Sequence, residues 1–527
     1  GGVTEGEYRG LSRLRRPRIT TLLAGLALVI STFALYVSTL APGVLYYSRP
    51  ELMDAAMLQV HSYTLGISHP TGYPTYLMLN KLFTYLPMGD VAYRVNFASA
   101  VYGVFAVAGV YVAALLLCGR AIAALTGALA FAVGATFWSQ TAIAEVHTLH
   151  ALFVALVLVL VLGWRYTGKD YLLLAAALSA GLSLTNHMTS ALILPMLLLF
   201  VYVVDRSKLF DGRLVLKGFG LFLVGLTPYL YLPARASMGP GMRESSPNDP
   251  GSFLTHVTGS ELNGTLFGRA VAEVPGNFTS YAVYTGAEFG LAALLLAAIG
   301  VGTLLARDRA AALLTGGLYI GWLLYALVYD IPDVHLYYIP TYLILALWIA
   351  VGTGTTLNLV AETLGSRSVA LRRGATVMVG AVALLTVAWG ADQTYAAVDR
   401  SDDREGRRII EAVADNAAPG ATVLHNRSSL WYMVLVEERR QDLTLLDPFV
   451  PEGITTYDLV WPAGTDPRES ERLYSTADNT GVEAARKAAK EGAVYILDQE
   501  SADASDFREA GFDIVEVEED ILYRLVP

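Results

Sequence analysis

Apolar residues fill the first three quarters of the chain in long runs broken by short polar connections, whereas the last quarter alternates short apolar and polar stretches. A helix needs about 20 apolar residues to cross a hydrocarbon core of about 30 Å. Eleven runs are read as membrane spans: 19–40, 91–117, 121–143, 146–164, 171–185, 188–204, 214–232, 288–305, 311–329, 335–357 and 374–391. From about residue 393 the period changes. Helices are expected at 404–417, 430–438 and 482–490, with strands at 422–425, 443–446, 494–497, 514–517 and 522–525. Such alternation predicts a small α/β layer with a mostly parallel sheet.

The connections divide into two sets. Arg13, Arg15, Arg16 and Arg18 precede the first run, and every second connection after it is basic: Arg120; Arg165 and Lys169; Arg206, Lys208, Arg213 and Lys217; Arg307 and Arg309; Arg367, Arg372 and Arg373. The positive-inside rule puts this set, and the N-terminus, in the cytoplasm. The opposite connections carry Asp54, His61 and His69; Glu145 and His147; Asn186 and His187; Arg235 to Arg269; and Asp333 with His335. Polar groups gathered where helices emerge mark a site in a membrane protein. Parity places the C-terminal α/β domain outside as well. Sequons at Asn263, Asn277 and Asn426 would then be open to glycosylation in a host that adds glycans.

Composition supports an integral membrane protein, with 54% hydrophobic and 16% charged residues among 527. Charge divides the chain near residue 393: 28 acidic and 14 basic residues follow it, against 19 and 23 before it. Two domains are expected, a transmembrane domain over residues 1–392 and a soluble acidic α/β domain over residues 393–527. The single Cys118 excludes an intrachain disulfide. The first apolar run is too long for a signal-peptide core and is read as a permanent helix. No Gly-rich phosphate loop follows a strand, and nothing suggests nucleic acid.

Two outer connections are long. In 42–87, residues 50–65 have apolar positions at helical spacing and are expected to form a helix lying at the interface. Next comes Leu65-Gly66-Ile67-Ser68-His69-Pro70-Thr71-Gly72-Tyr73-Pro74, a rigid turn because two prolines and the restricted residues before them forbid a helix. A second short helix is expected over 75–86. The segment 233–285 is too long for a plain connector. It is expected to fold over the first connection, bringing Arg235, Asn248, Asp249 and His256 to face Asp54.

The block from Asp54 through His69-Pro70-Thr71-Gly72-Tyr73-Pro74 to Ala92-Tyr93-Arg94-Val95-Asn96 resembles the membrane-protein family that includes the eukaryotic transmembrane protein O-mannosyltransferase. Weaker matches continue through Phe137-Trp138-Ser139-Gln140, Glu145-Val146-His147, where the family usually has Tyr at 147, Asn186-His187, Pro233-Ala234-Arg235, His256 and Pro332-Asp333, so the resemblance covers about 20–360. The family's Trp-Asp-Ser-Gly-Glu becomes Met53-Asp54-Ala55-Ala56-Met57, so its Glu is lost; Glu51, one helical turn earlier, could supply a carboxylate.

The resemblance implies a GT-C fold glycosyltransferase. Its donor would be a sugar on a polyprenyl or dolichyl phosphate, and its acceptor a protein or glycan. Such chemistry needs a carboxylate to take the acceptor proton and cations or N–H donors for the leaving phosphate. Asp54 and Glu51 are the catalytic candidates. Arg94 and Arg235 are the phosphate candidates, although an interfacial arginine can simply snorkel. His69, Tyr73, Glu145, His147, Asn186, His187, Asp333 and His335 complete the candidate site. His69 could instead lock its turn, and Glu145 could cap a helix. No cofactor is required; a divalent metal is conceivable, but no helix has ligands at metal-site spacing. The competing class is a transporter or flippase of a lipid-linked saccharide, against which stand the lack of an internal repeat, of broken helices and of mid-span charge.

Overall fold

The computed structural model describes residues 19–46, 52–259, 273–365, 367–447, 480–497 and 504–527. The described residues begin with α1 (Ile19–Ser38), followed by two short helices, α2 (Ala55–Thr64) and α3 (Pro74–Phe83). Next come α4 (Val91–Cys118), α5 (Ala121–Ala132), α6 (Ala135–Thr141), α7 (His147–Thr167), α8 (Tyr171–Leu184), α9 (Ile193–Asp205) and α10 (Gly212–Leu226). Two further short helices, α11 (Tyr231–Met238) and α12 (Pro250–Thr258), lead to α13 (Val274–Arg307), α14 (Arg309–Val328), α15 (Ile339–Thr363) and α16 (Val369–Ala388).

Among the described residues, nine helical stretches are long and apolar enough to cross a membrane. Two expected spans differ. That at 121–143 is broken into α5 and α6, bent by 69°, and that at 171–185 is the 14-residue helix α8. The break has a local cause. Gly134 begins α6, and Glu288 on α13 accepts the Thr136 amide at 3.1 Å and the Thr136 hydroxyl at 2.8 Å. A carboxylate on the N-terminal amides stabilises a helix start. The sequence therefore misses both a broken helix and an acidic side chain within a long helix, because α13 begins at Val274, well before the expected 288, and Glu288 lies within it.

Small residues let the helices touch. A Cβ on Gly300 of α13 would meet the Trp348 carbonyl of α15, and one on Gly352 of α15 would meet the Leu296 carbonyl of α13. Gly181 of α8 and Gly225 of α10 make a similar crossing. Lipid gives no hydrophobic drive between helices, so such close backbone packing supplies the association.

The basic connections meet one another. Arg165 pairs with Asp308 at 2.7 Å and Lys208 with Asp170 at 2.9 Å, joining the loops after α7, α9 and α13. Glu145 and His147 lie at the other end of α7, about 30 Å away by helical rise.

After α16 come α17 (Ala391–Val398), α18 (Glu405–Asn416), β1 (Thr422–Leu424), α19 (Leu430–Leu435) and β2 (Thr444–Leu446). The charge boundary at residue 393 thus falls inside α17. The remainder comprises α20 (Thr480–Ala488), β3 (Val494–Leu497), α21 (Ala504–Glu509), β4 (Asp513–Glu518) and β5 (Leu522–Val526). The sheet order is β2-β1-β3-β5-β4; β2, β1 and β3 are parallel, and the hairpin of β4 and β5 is antiparallel. The helices beside the sheet, α18 and α19, pack on the two long connections through a shared core in which Val44, Met57, Val60 and Met242 cluster with Ile410, Trp431 and Tyr432.

That docking corrects one expectation. Helix α2 does not lie at an interface, because Ala55 through Ser62 are all buried. Its outward side is covered by α19, which no local pattern could announce.

Candidate functional site

The turn after α2 is built as its sequence demands. Leu65 takes the left-handed region at φ 51° and ends α2, and the Gly72 amide bonds to the His69 carbonyl at 2.7 Å. Tyr73, at φ 46°, leads into Pro74 at the start of α3. Ile67 pairs with the strand-like segment before α12: its amide reaches the Met242 carbonyl at 3.1 Å, and the Glu244 amide reaches the Ile67 carbonyl at 2.8 Å. A Cβ on Gly72 would meet His256 and Leu232 at 2.8 Å. The expected folding of the second long connection over the first is therefore seen directly. Its bounds differ, because residues 274–285 belong to α13.

Asp54 stands at the start of α2 with 27% of its side chain exposed. Its Oδ1 accepts a hydrogen bond from Arg427 Nη2 at 2.7 Å, while Oδ2 faces His69 Nε2 at 3.5 Å. His69 Nε2 also lies 3.0 Å from the Tyr73 hydroxyl. The other arm of Arg427 donates to Glu244, which His61 Nε2 approaches at 2.8 Å. Arg427 and Glu244 are almost wholly buried, at 6% and 3% side-chain exposure. Burial pushes Glu244 up, but Arg427 and His61 outweigh it and hold the carboxyl well below its usual range. Burial lowers His61 despite Glu244, so its imidazole is neutral at pH 7.

A second group of acids lies close by. Glu145 is buried, and its carboxyl is raised well above 4.5, first by burial and then by Asp54 and Asp333. The Tyr73 phenol is raised first by burial and then by Asp54, Tyr329, Glu145 and Asp333. The ring of His187 lies 5.3 Å from His147 and 5.4 Å from Tyr337, and burial lowers His187 to about 4. The Asn186 amide reaches the Val146 carbonyl at 3.4 Å, beside Glu145. Asp54, His69, Tyr73, Glu145, His147, Asn186, His187 and Asp333 are thus brought to one end of the helices. Among the described residues no three His, Cys, Asp or Glu side chains are arranged to hold a metal ion.

Other candidates are engaged elsewhere. Arg94 donates to the carbonyls of Met88, Thr84 and Gly89 at 2.7–2.9 Å and so clamps the loop before α4. Arg235 donates to Leu65 O at 2.6 Å and Thr64 O at 3.1 Å, capping the far end of α2 from Asp54. The expectation that it faces Asp54 fails, because the last carbonyls of a helix attract a cation. Asn248 and Asp249 are exposed, and Asp249 caps α12. His335 stacks on Tyr284 at 5.6 Å but lies near His147, at the same end of the helices as the cluster. Glu51 and Asn263 lie outside the described residues. The Asn277 amide bonds to the Leu327 carbonyl, and Ser428 of the Asn426 sequon is buried, so neither sequon presents a free loop. Sequence reasoning does not single out Glu244, Arg427, Tyr329 or Tyr337. Arg427 gives no signal, since it follows its partner Asp54 by 373 positions.

Residues 54–210 match the family model described as the Protein O-mannosyl-transferase TMEM260 N-terminal domain. The chain is 32% identical to Protein O-mannosyl-transferase TMEM260 of Mus musculus over 222 residues, covering 41% of this chain and 31% of that protein. It is 26% identical to the Dictyostelium discoideum protein of the same name over 196 residues, 34% of this chain and 24% of that one. The chain thus spans less than a third of the length of these relatives. The resemblance drawn from the His-Pro-Thr-Gly-Tyr-Pro block is borne out. The structure of ArnT from Cupriavidus metallidurans bound to undecaprenyl phosphate matches with TM-score 0.62 at 14% identity, over 95% of this chain and 97% of that one. The arabinofuranosyltransferase AftD from Mycobacteria matches with TM-score 0.50 at 14% identity, over 97% of this chain and 40% of that one. The fold is the GT-C membrane fold with a small C-terminal sheet.

Proposed function

We propose that the protein is an inverting membrane glycosyltransferase that moves a sugar from a polyprenyl or dolichyl phosphate to a hydroxyl of a protein or glycan. Mannose is the sugar named by the relatives of residues 54–210. One observation carries the proposal most: Asp54 has one oxygen fixed by Arg427 and the other directed into the group of His69, Tyr73, Glu145 and Asp333. In the reaction, the acceptor oxygen bonds to the sugar C1 as the bond from C1 to the phosphate oxygen breaks, its electron pair leaving with the phosphate. Asp54 Oδ2 takes the hydroxyl proton, a contribution of about 10²–10⁴ in rate. His69, Tyr73 and the raised carboxyl of Glu145 offer donors to the leaving phosphate. Burial and neighbouring carboxylates favour a protonated Glu145, which can donate where an ionised one would repel.

The site would open at the outer face of the cell membrane, with the N-terminus cytoplasmic and the acidic α/β domain, residues 393–527, extracytoplasmic. The basic loops tied by Arg165 and Asp308 support this orientation. Protease added to right-side-out vesicles should remove the α/β domain; protection would reverse every loop. Transfer is tested with protein in nanodiscs, a polyprenyl-phosphate mannose donor and a serine/threonine-rich peptide. Product in wild type and none in Asp54→Asn is expected, whereas equal turnover in both would refute the proposed base.

A further inference from the structure

Asp54 belongs to the membrane domain, yet its closest charged partner belongs to the sheet that follows it by hundreds of residues. Arg427 lies just past β1, where β2 neighbours β1 on one side and β3 on the other. Loops at the carboxyl ends of parallel strands, where the connections diverge, are where an open α/β sheet meets its ligands. Here those loops point at the start of α2.

The side chain is held at several points. Nη1 donates to Glu244, Nη2 to Asp54 at 2.7 Å, and Nε approaches the Met53 carbonyl at 3.5 Å. The backbone is equally fixed. Arg427 adopts φ 44°, a left-handed conformation uncommon for a residue with a side chain. Its amide donates to Asp447 Oδ2 at 3.0 Å, and that oxygen also accepts from Trp431 Nε1 at 2.7 Å. A planar guanidinium bridging two carboxylates fixes the direction of each in a way that a single ammonium cannot. Because Glu244 anchors one arm, the other restrains Asp54 Oδ1. Oδ2 then remains turned toward His69 with no short hydrogen bond of its own.

We infer that Arg427 is a positioning residue for Asp54, carried by the C-terminal sheet to hold one carboxylate oxygen and leave the other for the acceptor hydroxyl. The α/β domain is then a piece of the reaction centre and not an appendage. The inference rests on the proposed role of Asp54 as base. Arg427 places a cation 2.7 Å from Asp54 Oδ1, and removing it takes that charge away from a carboxylate that shares its surroundings with His69 and Tyr73.

Two readouts test it, both on the full chain in nanodiscs. The first is mannose transfer from the polyprenyl-phosphate donor to the peptide. The second is labelling of Asp54 by a lipophilic carbodiimide, which attacks protonated carboxyls, read by peptide mass spectrometry at pH 6–7. Arg427→Met should lower kcat about 100-fold, the scale of a misplaced catalytic group, with the donor KM changed by less than about threefold. Asp54 labelling should rise several-fold. Arg427→Lys should recover about tenfold of the lost kcat by restoring charge without the fork. Arg407→Met serves as control: it removes a different link between the domains, to Asp90 at 3.6 Å, and should leave kcat within about twofold. Unchanged kcat and labelling in Arg427→Met would overturn the inference, as would an equal loss in Arg407→Met. If wild type transfers nothing, or Asp54→Asn transfers normally, the proposed function fails instead, while the labelling still decides whether Arg427 governs Asp54.

Discussion

Two carboxylates are fixed in this protein by opposite means. Glu288, on α13, has both oxygens taken up by the start of α6: the Thr136 amide lies 3.1 Å from each, and the Thr136 hydroxyl 2.8 Å from one. Asp54 is held at one oxygen only, by a guanidinium, with 27% of its side chain exposed. The first arrangement engages both oxygens of the acid at a helix terminus. The second leaves some acceptor capacity unspent beside a histidine, a phenol and two more acids. A carboxyl held between helices is thus not by itself evidence of chemistry; what distinguishes the two sites is whether an oxygen is left without a short hydrogen bond.

The comparison is broken most sharply by substitution. Asp54→Asn should abolish transfer, by about 10²–10⁴, with unfolding stability altered by no more than about 1 kcal/mol. Glu288→Gln should show the reverse balance: transfer within about threefold, with stability lowered by about 1–3 kcal/mol because the Thr136 amide and hydroxyl at the start of α6 lose one of their two acceptor oxygens. Thermal unfolding and transfer rate measured on both variants decide it, and a loss of turnover in Glu288→Gln without loss of stability would erase the distinction.

Glu244 sharpens the same contrast from the structural side. Glu244→Ala leaves Arg427 and His61 buried without their shared acceptor, and breaking such a pair costs about 3–5 kcal/mol. Because its folded pKa is depressed, the stability that Glu244 contributes is present above its ordinary value of 4.5 and is lost as pH falls below it. Glu145 has the opposite sign. Its folded pKa is raised, so unfolding releases its proton more readily, and stability falls as pH rises above 4.5. Glu145→Gln should therefore unfold at a higher temperature than wild type at pH 7–8 and match it near pH 4. A lower melting temperature at pH 8 would show that Glu145 is ionised and paired.

The smallest effect is expected from Arg235. Its guanidinium serves two carbonyls at the end of α2, so Arg235→Ala should cost about 1 kcal/mol and leave donor affinity within about twofold. A tenfold weaker donor Kd, measured by displacement of a labelled polyprenyl phosphate, would restore the phosphate-binding role expected from the sequence.

Much of the fold was legible because the relevant rules are local. Apolar runs near 20 residues give spans, alternating charge gives two sets of connections, and Leu65 to Pro74 can form only a turn. The expected strands agree with β1 to β5 within two residues at each end, although the mostly parallel sheet carries an antiparallel hairpin. Convergence of Asp54, His69, Glu145, His187 and Asp333 on one side was legible too, since parity alone assigns the end of each helix.

The sequence by itself determined which runs form long apolar helices, where most of them turn and which polar residues gather at one end. It could not determine how those residues are satisfied. Arg94 and Arg235 look free in the sequence but serve carbonyls a few residues away or on another helix. Arg427 looks like a member of a surface sequon but is buried between Asp54 and Glu244. Only the tertiary structure decided these roles, because hydrogen bonds and ion pairs act over about 3 Å in space with no regard to separation along the chain. Helical and turn preferences act between near neighbours and are therefore written in the sequence.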